Sequence, residues 1–236
     1  MQNLQVKRNE LKYFISNLEY EVLKRKLSHI LKRDIHSKDG GYFIRSLYFD
    51  SYDDECLFQK QSGNYMRAKY RMRIYSLDTD IVKFEIKHKL NNQIYKESAT
   101  ISKKSAIEII DGNYDELLKY HNPILNKIYI KFKERYYKPK VIVDYHRDAF
   151  VYDFFNIRIT FDLNLHSCNS DFDIFSNNLH TIPVVLEGMQ ILEIKYENFL
   201  PQHIKMLLQG TITQRLAISK YTLSRRYFKQ YNWEDN

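Results

Sequence analysis

Glycine and proline are scarce in this chain, six and four of 236 residues, which leaves little room for long structureless loops. Cysteine is scarcer still. Cys56 and Cys168 stand alone with no CxxC spacing, which excludes a disulfide framework and a zinc cluster and sets a reducing, cytoplasmic compartment as the expectation. No apolar run approaches the ~18–20 residues that span a bilayer, and the stretch from Met1 to Arg8 has no apolar signal region. Neither GxxxxGK[ST] nor GxGxxG occurs, so a phosphate cannot rest in a glycine-rich backbone cradle and must be held by side chains. HExxH and GxSxG are absent too, and His88 and His146 read as ordinary strand residues. Internal repeats and low-complexity tracts are missing.

What the chain does have is aromatic residues and positive charge. Twenty Tyr, fourteen Phe and 44% hydrophobic content mark a globular protein, read as a single domain over 1–236 with a helical segment at 200–230. The formal net charge of +8 implies an anionic partner: nucleic acid, a phosphate ester or a membrane surface. Duplex DNA calls for a convex basic patch or helix, whereas the cations here recur at strand period, and no RNA-binding module is recognisable, so nucleic acid is not the expected partner.

The strand period is clearest in Arg67-Ala68-Lys69-Tyr70-Arg71-Met72-Arg73-Ile74-Tyr75 and Lys83-Phe84-Glu85-Ile86-Lys87-His88-Lys89. Alternating side chains put the Arg, Lys and Glu residues on one face and Tyr70, Met72, Ile74, Phe84 and Ile86 on the other. The same pattern returns at Arg8–Phe14, Val141–Arg147, Asn156–Asp162 and Gln190–Tyr196, with further strands expected at Tyr42–Asp50, Ile94–Ile101 and Val184–Glu187. Asn91-Asn92 reads as a hairpin turn. Ser16-x-x-Glu19 is a capping box opening a helix over 17–33. A short helix is expected within 51–63, helical segments over 102–135 with Pro123 at a helix start, and a polar loop at 166–180.

These elements make an α+β fold of about eight mostly antiparallel strands, with helices covering the apolar sheet face. The charged face is left with two arrangements: open to water on a free sheet, or facing a lumen if the sheet closes into a barrel. An enclosed lumen lined by cations needs water, a few carboxylates or a polyanion, and Glu10, Glu85 and Glu193 lie on that face. In such a lumen the loss of one cation is expected to relieve repulsion.

Taken together, Arg8-x-Glu10-x-Lys12-Tyr13, Ile44–Asp50, Arg67–Tyr75, Phe84–Lys87, Tyr145-x-Arg147-x-Ala149-Phe150, Ile157-Arg158-x-Thr160-x-Asp162, Leu192–Lys195 and Ser219-Lys220-Tyr221 give a resemblance over most of the chain. The chain resembles the VTC (vacuolar transporter chaperone) polyphosphate polymerase domain, a branch of the triphosphate tunnel metalloenzymes. That resemblance implies a closed antiparallel β-barrel whose basic lumen holds a linear tri- or polyphosphate, with Mn2+ or Mg2+ as cofactor. It implies phosphate contacts, most of them catalytic, at Lys12, Arg71, Arg73, Lys87, Arg147, Arg158, Ser219 and Lys220. Glu193 becomes the metal ligand with Glu10 as a second carboxylate, and Lys195 orients Glu193 or reaches the lumen. Arg45 and Asp50 are expected to pair structurally, and Lys69 to sit at a rim.

The implied activity is transfer of the ATP γ-phosphate to a growing inorganic polyphosphate. Tripolyphosphate or nucleoside triphosphate hydrolysis is the alternative enzyme, and a non-catalytic polyphosphate sensor the third reading. The broader tunnel family often opens with ExExK; here Arg8 replaces the first acid, which removes one metal carboxylate and favours transfer over hydrolysis. Export of a product across a membrane would require a separate partner protein.

Overall fold

The computed structural model describes residues 8–37, 40–91, 93–210 and 216–230. The first seven residues, Asn92 of the expected hairpin turn, residues 211–215 of the expected helical tail and the side chains of Arg8 and of 226–230 lie outside that description.

In chain order the strands are β1 (Arg8–Ser16), β2 (Lys32–Arg33), β3 (Tyr42–Asp50), β4 (Met66–Ile74), β5 (Ile81–Leu90), β6 (Gln93–Ser102), β7 (Lys138–Tyr152), β8 (Ile157–Cys168), β9 (Ile182–Pro183) and β10 (Met189–Glu197). The helices are α1 (Asn17–Ser28), α2 (Glu55–Gln61), α3 (Lys103–Ile110), α4 (Pro123–Arg135), α5 (Gln202–Leu208) and α6 (Lys220–Gln230). The hydrogen-bonded path runs β1-β10-β8-β7-β3-β4-β5-β6, with β2 attached to β7 and β9 to β8. The expected closed barrel is therefore corrected: β1 and β6 end the path and do not pair, among the described residues. Alternation in a sequence reports which face of a strand is buried; it carries no information on whether the first and last strands meet edge to edge.

The chain forms two compact units. One holds residues up to Phe43, Tyr145–Leu165 and Val185–Ile218; the other holds Ile44–Asp144, His166–Val184 and the chain from Ser219.

In the first unit β10 lies between β1 and β8, antiparallel to both. Ser16 caps α1 through the full reciprocal box: Glu19 N donates to Ser16 Oγ and Ser16 N donates to Glu19 Oε2. The helix stops at Ser28 rather than 33, because Lys32 and Arg33 pair as a strand with Val151 and Phe150. Tertiary pairing here overrides helical periodicity. Leu23 and Leu27 of α1 and Ile204 and Leu208 of α5 close over Ile159, Phe161, Leu192 and Ile194. Burial of each such side chain is worth roughly 1.5–3 kcal/mol. The opposite face of the same strands is left to Glu10, Lys12, Arg158, Glu193 and Lys195.

In the second unit the hairpin turn at Asn91, in a left-handed conformation with φ 53°, sets β5 against β6 so that Leu90 faces Gln93. Asn122 caps α4, whose N1 is Pro123, and α4 inserts Phe132 among Phe49, Tyr70, Phe84 and Tyr137, with ring centroids 4.9–5.8 Å apart. Two expectations on the β8–β10 connection are corrected. Strand β8 runs to Cys168, into the expected polar loop, and the strand expected at Val184–Glu187 is the shorter Ile182–Pro183, paired with His166 and Ser167.

Candidate functional site

The sequence-predicted site residues fall into two clusters, one in each unit. In the second unit, Lys69, Arg71 and Arg73 occupy one face of β4, and Glu85 and Lys87 the matching face of β5. Arg71 Nε donates to Glu85 Oε2 at 2.7 Å, and its Nη1 donates to the Tyr48 hydroxyl at 3.1 Å. Arg73 Nε donates to Ser46 Oγ at 3.1 Å. Lys96 of β6 reaches the other Glu85 oxygen at 2.7 Å. Burial alone would raise the Glu85 carboxyl, but Arg71, Arg73 and Lys96 outweigh it and hold its pKa at about 2. For the Tyr48 phenol, burial pulls upward and Arg71, Arg73 and Lys220 pull downward, and the cations win.

Register adds a second feature. Lys69 lies directly opposite Lys87, and Lys87 directly opposite Lys96, so three ammonium-bearing residues line up across β4, β5 and β6. Like charges placed directly opposite across strands are destabilising. Lys69 Nζ donates to Ser219 Oγ at 2.6 Å, and Ser219 also accepts from Thr222 N at 3.2 Å in the first turn of α6. This brings Ser219 and the β4 cations together. The Tyr221 hydroxyl donates to the buried Asp50 carboxylate, which also accepts from the backbone N–H groups of Ser51, Cys56 and Leu57. Asp50 therefore fixes α6 rather than pairing with Arg45. Residues 45 and 50 are an odd number of positions apart and point to opposite faces of β3; Arg45 instead forks onto Asp144 with both contacts at 2.8 Å.

In the first unit the register rows are Lys12–Glu193–Thr160 and Glu10–Lys195–Arg158 across β1, β10 and β8. Lys12 Nζ sits 2.7 Å from Glu10 Oε1 and 3.3 Å from Glu193 Oε2, and Lys195 Nζ contacts Glu193 Oε1. Burial pulls the Lys12 ammonium down, but Glu193 and Glu10 raise its pKa above the ordinary lysine value, so it stays charged. Arg147 is buried and forks onto Asp162, which more than offsets desolvation and keeps the guanidinium firmly ionised. Gly41 holds this arrangement close: at φ +115°, a Cβ there would lie 2.3 Å from the Arg147 carbonyl oxygen. Arg158 is more exposed, pairing with Asp34 at 2.9 Å and donating to the Tyr42 hydroxyl at 3.1 Å.

Sequence reasoning missed Lys96, Tyr48, Tyr42 and the partners Asp162 and Asp34. One of these was recoverable: the hairpin turn expected from the sequence at Asn91-Asn92 puts Lys96 opposite Lys87, the register observed. For a metal, Glu10 and Glu193 are hard oxygen donors of the right kind, and Mg2+ is commonly held by one or two carboxylates plus substrate phosphates. No group of three or more His, Cys, Asp or Glu residues suited to a metal occurs among the described residues. No helix among them is long and apolar enough to cross a membrane.

A Hippeastrum protein named for adenylyl cyclase and described as having a dominant triphosphatase activity is 13% identical, with 92% of this chain and 95% of that chain covered and a TM-score of 0.55. A candidate adenylate cyclase from Bacillus halodurans is 19% identical, with 94% and 99% covered and a TM-score of 0.49. At this identity the Hippeastrum likeness bears on fold alone. No curated protein matches the chain. The profile of the VTC domain matches residues 7–229, nearly the whole sequence, and the chain belongs to the VTC domain family.

Proposed function

We propose that this chain binds linear tri- or polyphosphate and transfers the γ-phosphoryl group of ATP to a growing inorganic polyphosphate. The observation that carries the reading is the row Lys69–Lys87–Lys96 beside Arg71 and Arg73. A polyanion with repeating phosphates matches such a row of cations in charge and spacing, and a neutral ligand does not.

Phosphoryl transfer needs charge neutralised on the transferring oxygens and the nucleophile and leaving oxygens aligned, with little covalent help from protein. In the second unit Arg71 supplies a fork for paired phosphate oxygens while Lys87 and Lys220 act as point charges; in the first unit Arg147 and Arg158 supply the forks and Lys12 the point charge. Tyr48 and Glu85 hold Arg71 from two sides, so its guanidinium is oriented before a ligand arrives. Ser219 offers a hydroxyl beside Lys69. Mn2+ or Mg2+ bound at Glu193, with Glu10 as second carboxylate, would add charge neutralisation at the phosphoryl group. Lys195 then holds Glu193 in place.

Triphosphate hydrolysis is the second reading, favoured by the activity described for the Hippeastrum protein of similar fold. Both readings require triphosphate affinity. Calorimetric titration with tripolyphosphate should give tight, salt-sensitive binding that falls at least tenfold in Lys87→Ala and in Arg158→Gln. Equal affinity in both variants and wild type would remove these residues from the site.

A further inference from the structure

The second unit holds a hollow of about 250 Å3 between α2, α4 and the apolar face of β4 to β6. The Lys69–Lys87–Lys96 row lies on the other side of the same strands. The apolar face of β4 runs Met66, Ala68, Tyr70, Met72, Ile74, and the small Ala68 leaves room where its neighbours fill it. Arg67 and Lys89 stand at the edge, but alternation turns their side chains to the opposite face.

One polar group meets this space without a partner. Tyr70 lines the hollow, is only 7% exposed, and packs its ring edge-on against Tyr137 and Phe132. Its hydroxyl makes no hydrogen bond to any described residue. The oxygen is not sealed in by protein either, so it opens into the hollow. A buried phenol normally finds a hydrogen-bond partner, and here the partner has to come from outside the protein.

We propose that this hollow is a second binding site, for an uncharged planar ring with an N–H on its edge, the class of a nucleobase. Tyr70, Tyr137 and the His88–Tyr95 stack, with ring centroids 4.4 Å apart and planes 10° from parallel, give the aromatic wall that a flat ring needs. The Tyr70 oxygen accepts the ligand's N–H. Burial, with the Glu55 and Glu97 carboxylates adding to it, pushes the Tyr70 phenol above its ordinary range, so the group stays neutral. Those carboxylates favour a ligand donor over a carbonyl oxygen beside it. No surplus charge lines the hollow: Lys131 is matched by Glu55 at 3.0 Å. Burial lowers the His88 pKa, with Glu97 opposing, so at neutral pH the imidazole is an uncharged stacking surface. A charged ligand would lose its hydration there without a counter-charge. Drug-sized ligands occupy ~300–1,000 Å3, so this hollow suits one base rather than a whole nucleotide. A nucleotide held by its phosphates on the lysine row cannot place its base here, because the sheet stands between.

The test is calorimetric titration of the full chain with adenine. The expected result is saturable binding at submillimolar adenine, with AMP at least tenfold weaker. Tyr70→Phe keeps the ring and removes the hydroxyl, and adenine affinity should fall about tenfold. The same variant, without ligand, should melt at the wild-type temperature or above it, because the hydroxyl has no bond to lose. Its tripolyphosphate affinity should be that of wild type, which separates this site from the lysine row. Ala68→Leu fills the hollow and should abolish adenine binding; if that core variant does not fold, Tyr70→Phe carries the test alone. No saturable binding at millimolar adenine, AMP as tight as adenine, or equal adenine affinity in Tyr70→Phe would overturn the proposal. A ligand-free Tyr70→Phe protein melting several degrees lower would do so too, since the hydroxyl would then be bonded within the protein.

Discussion

Arg147 and Asp162 meet as a fork on a fork, Nε to Oδ1 at 2.6 Å and Nη2 to Oδ2 at 2.9 Å, with both residues buried. The guanidinium is thus held in one plane by a carboxylate from the neighbouring strand before any phosphate arrives. The pairing reverses the expectation that losing one cation relieves repulsion. Arg147→Ala takes from buried Asp162 the guanidinium it is forked with, and breaking such a buried pair costs about 3–5 kcal/mol. Urea denaturation should show that loss, and the double variant Arg147→Met with Asp162→Leu should recover most of it. An Arg147→Ala protein as stable as wild type would mean that the pair is not formed.

Glu85 sets a pH dependence whose sign is fixed. Its folded-state pKa of about 2 lies below the ordinary glutamate value of 4.5, because Arg71, Arg73 and Lys96 outweigh burial. The stabilisation is therefore fully present above about pH 4.5 and is lost as pH falls towards 2. The span corresponds to on the order of 3 kcal/mol. Denaturation curves between pH 5 and 2, compared for wild type and Glu85→Gln, should show a slope in the former that is flattened in the latter.

Lys12 and a divalent ion compete for the same oxygens. The ammonium lies 2.7 Å from Glu10 and 3.3 Å from Glu193, so a metal bound there must displace it. Lys12→Met removes the competitor, and Mn2+ affinity measured by electron paramagnetic resonance in the absence of nucleotide should rise about tenfold. Weaker Mn2+ binding in that variant would assign the metal elsewhere.

Tyr48 acts through Arg71. Its hydroxyl accepts from Arg71 Nη1, and its ring is buried against Tyr221 at a 5.2 Å centroid distance. Tyr48→Phe keeps the ring and deletes the hydrogen bond, worth ~1.5–3 kcal/mol when one partner is charged. Tripolyphosphate affinity should fall about tenfold with the melting temperature little changed, and the alkaline titration of one tyrosine below the usual range should disappear from the ultraviolet spectrum.

Strand faces were legible because a period of two is a local property. Ile157, Ile159 and Phe161 pack into the core while Arg158 and Asp162 lie on the other side, as the alternation requires. The Ser16–Glu19 box was legible for the same reason. Partnerships across long separations were not. Arg45 with Asp144, Arg147 with Asp162 and Arg158 with Asp34 each depend on which strand lies beside which. That β1 and β6 do not pair among the described residues belongs to the same class, since edge pairing depends on twist and curvature accumulated over a sheet.

The account rests on phosphate chemistry at these cations, and one product analysis tests it most directly. Purified protein is incubated with ATP and Mn2+, and the phosphorus NMR spectrum is followed for the internal resonance of chain phosphate. The predicted result is growth of that resonance as ATP is consumed, lost in Arg71→Ala and in Glu193→Gln. Release of orthophosphate without chain phosphate, or ATP left unchanged, would contradict it.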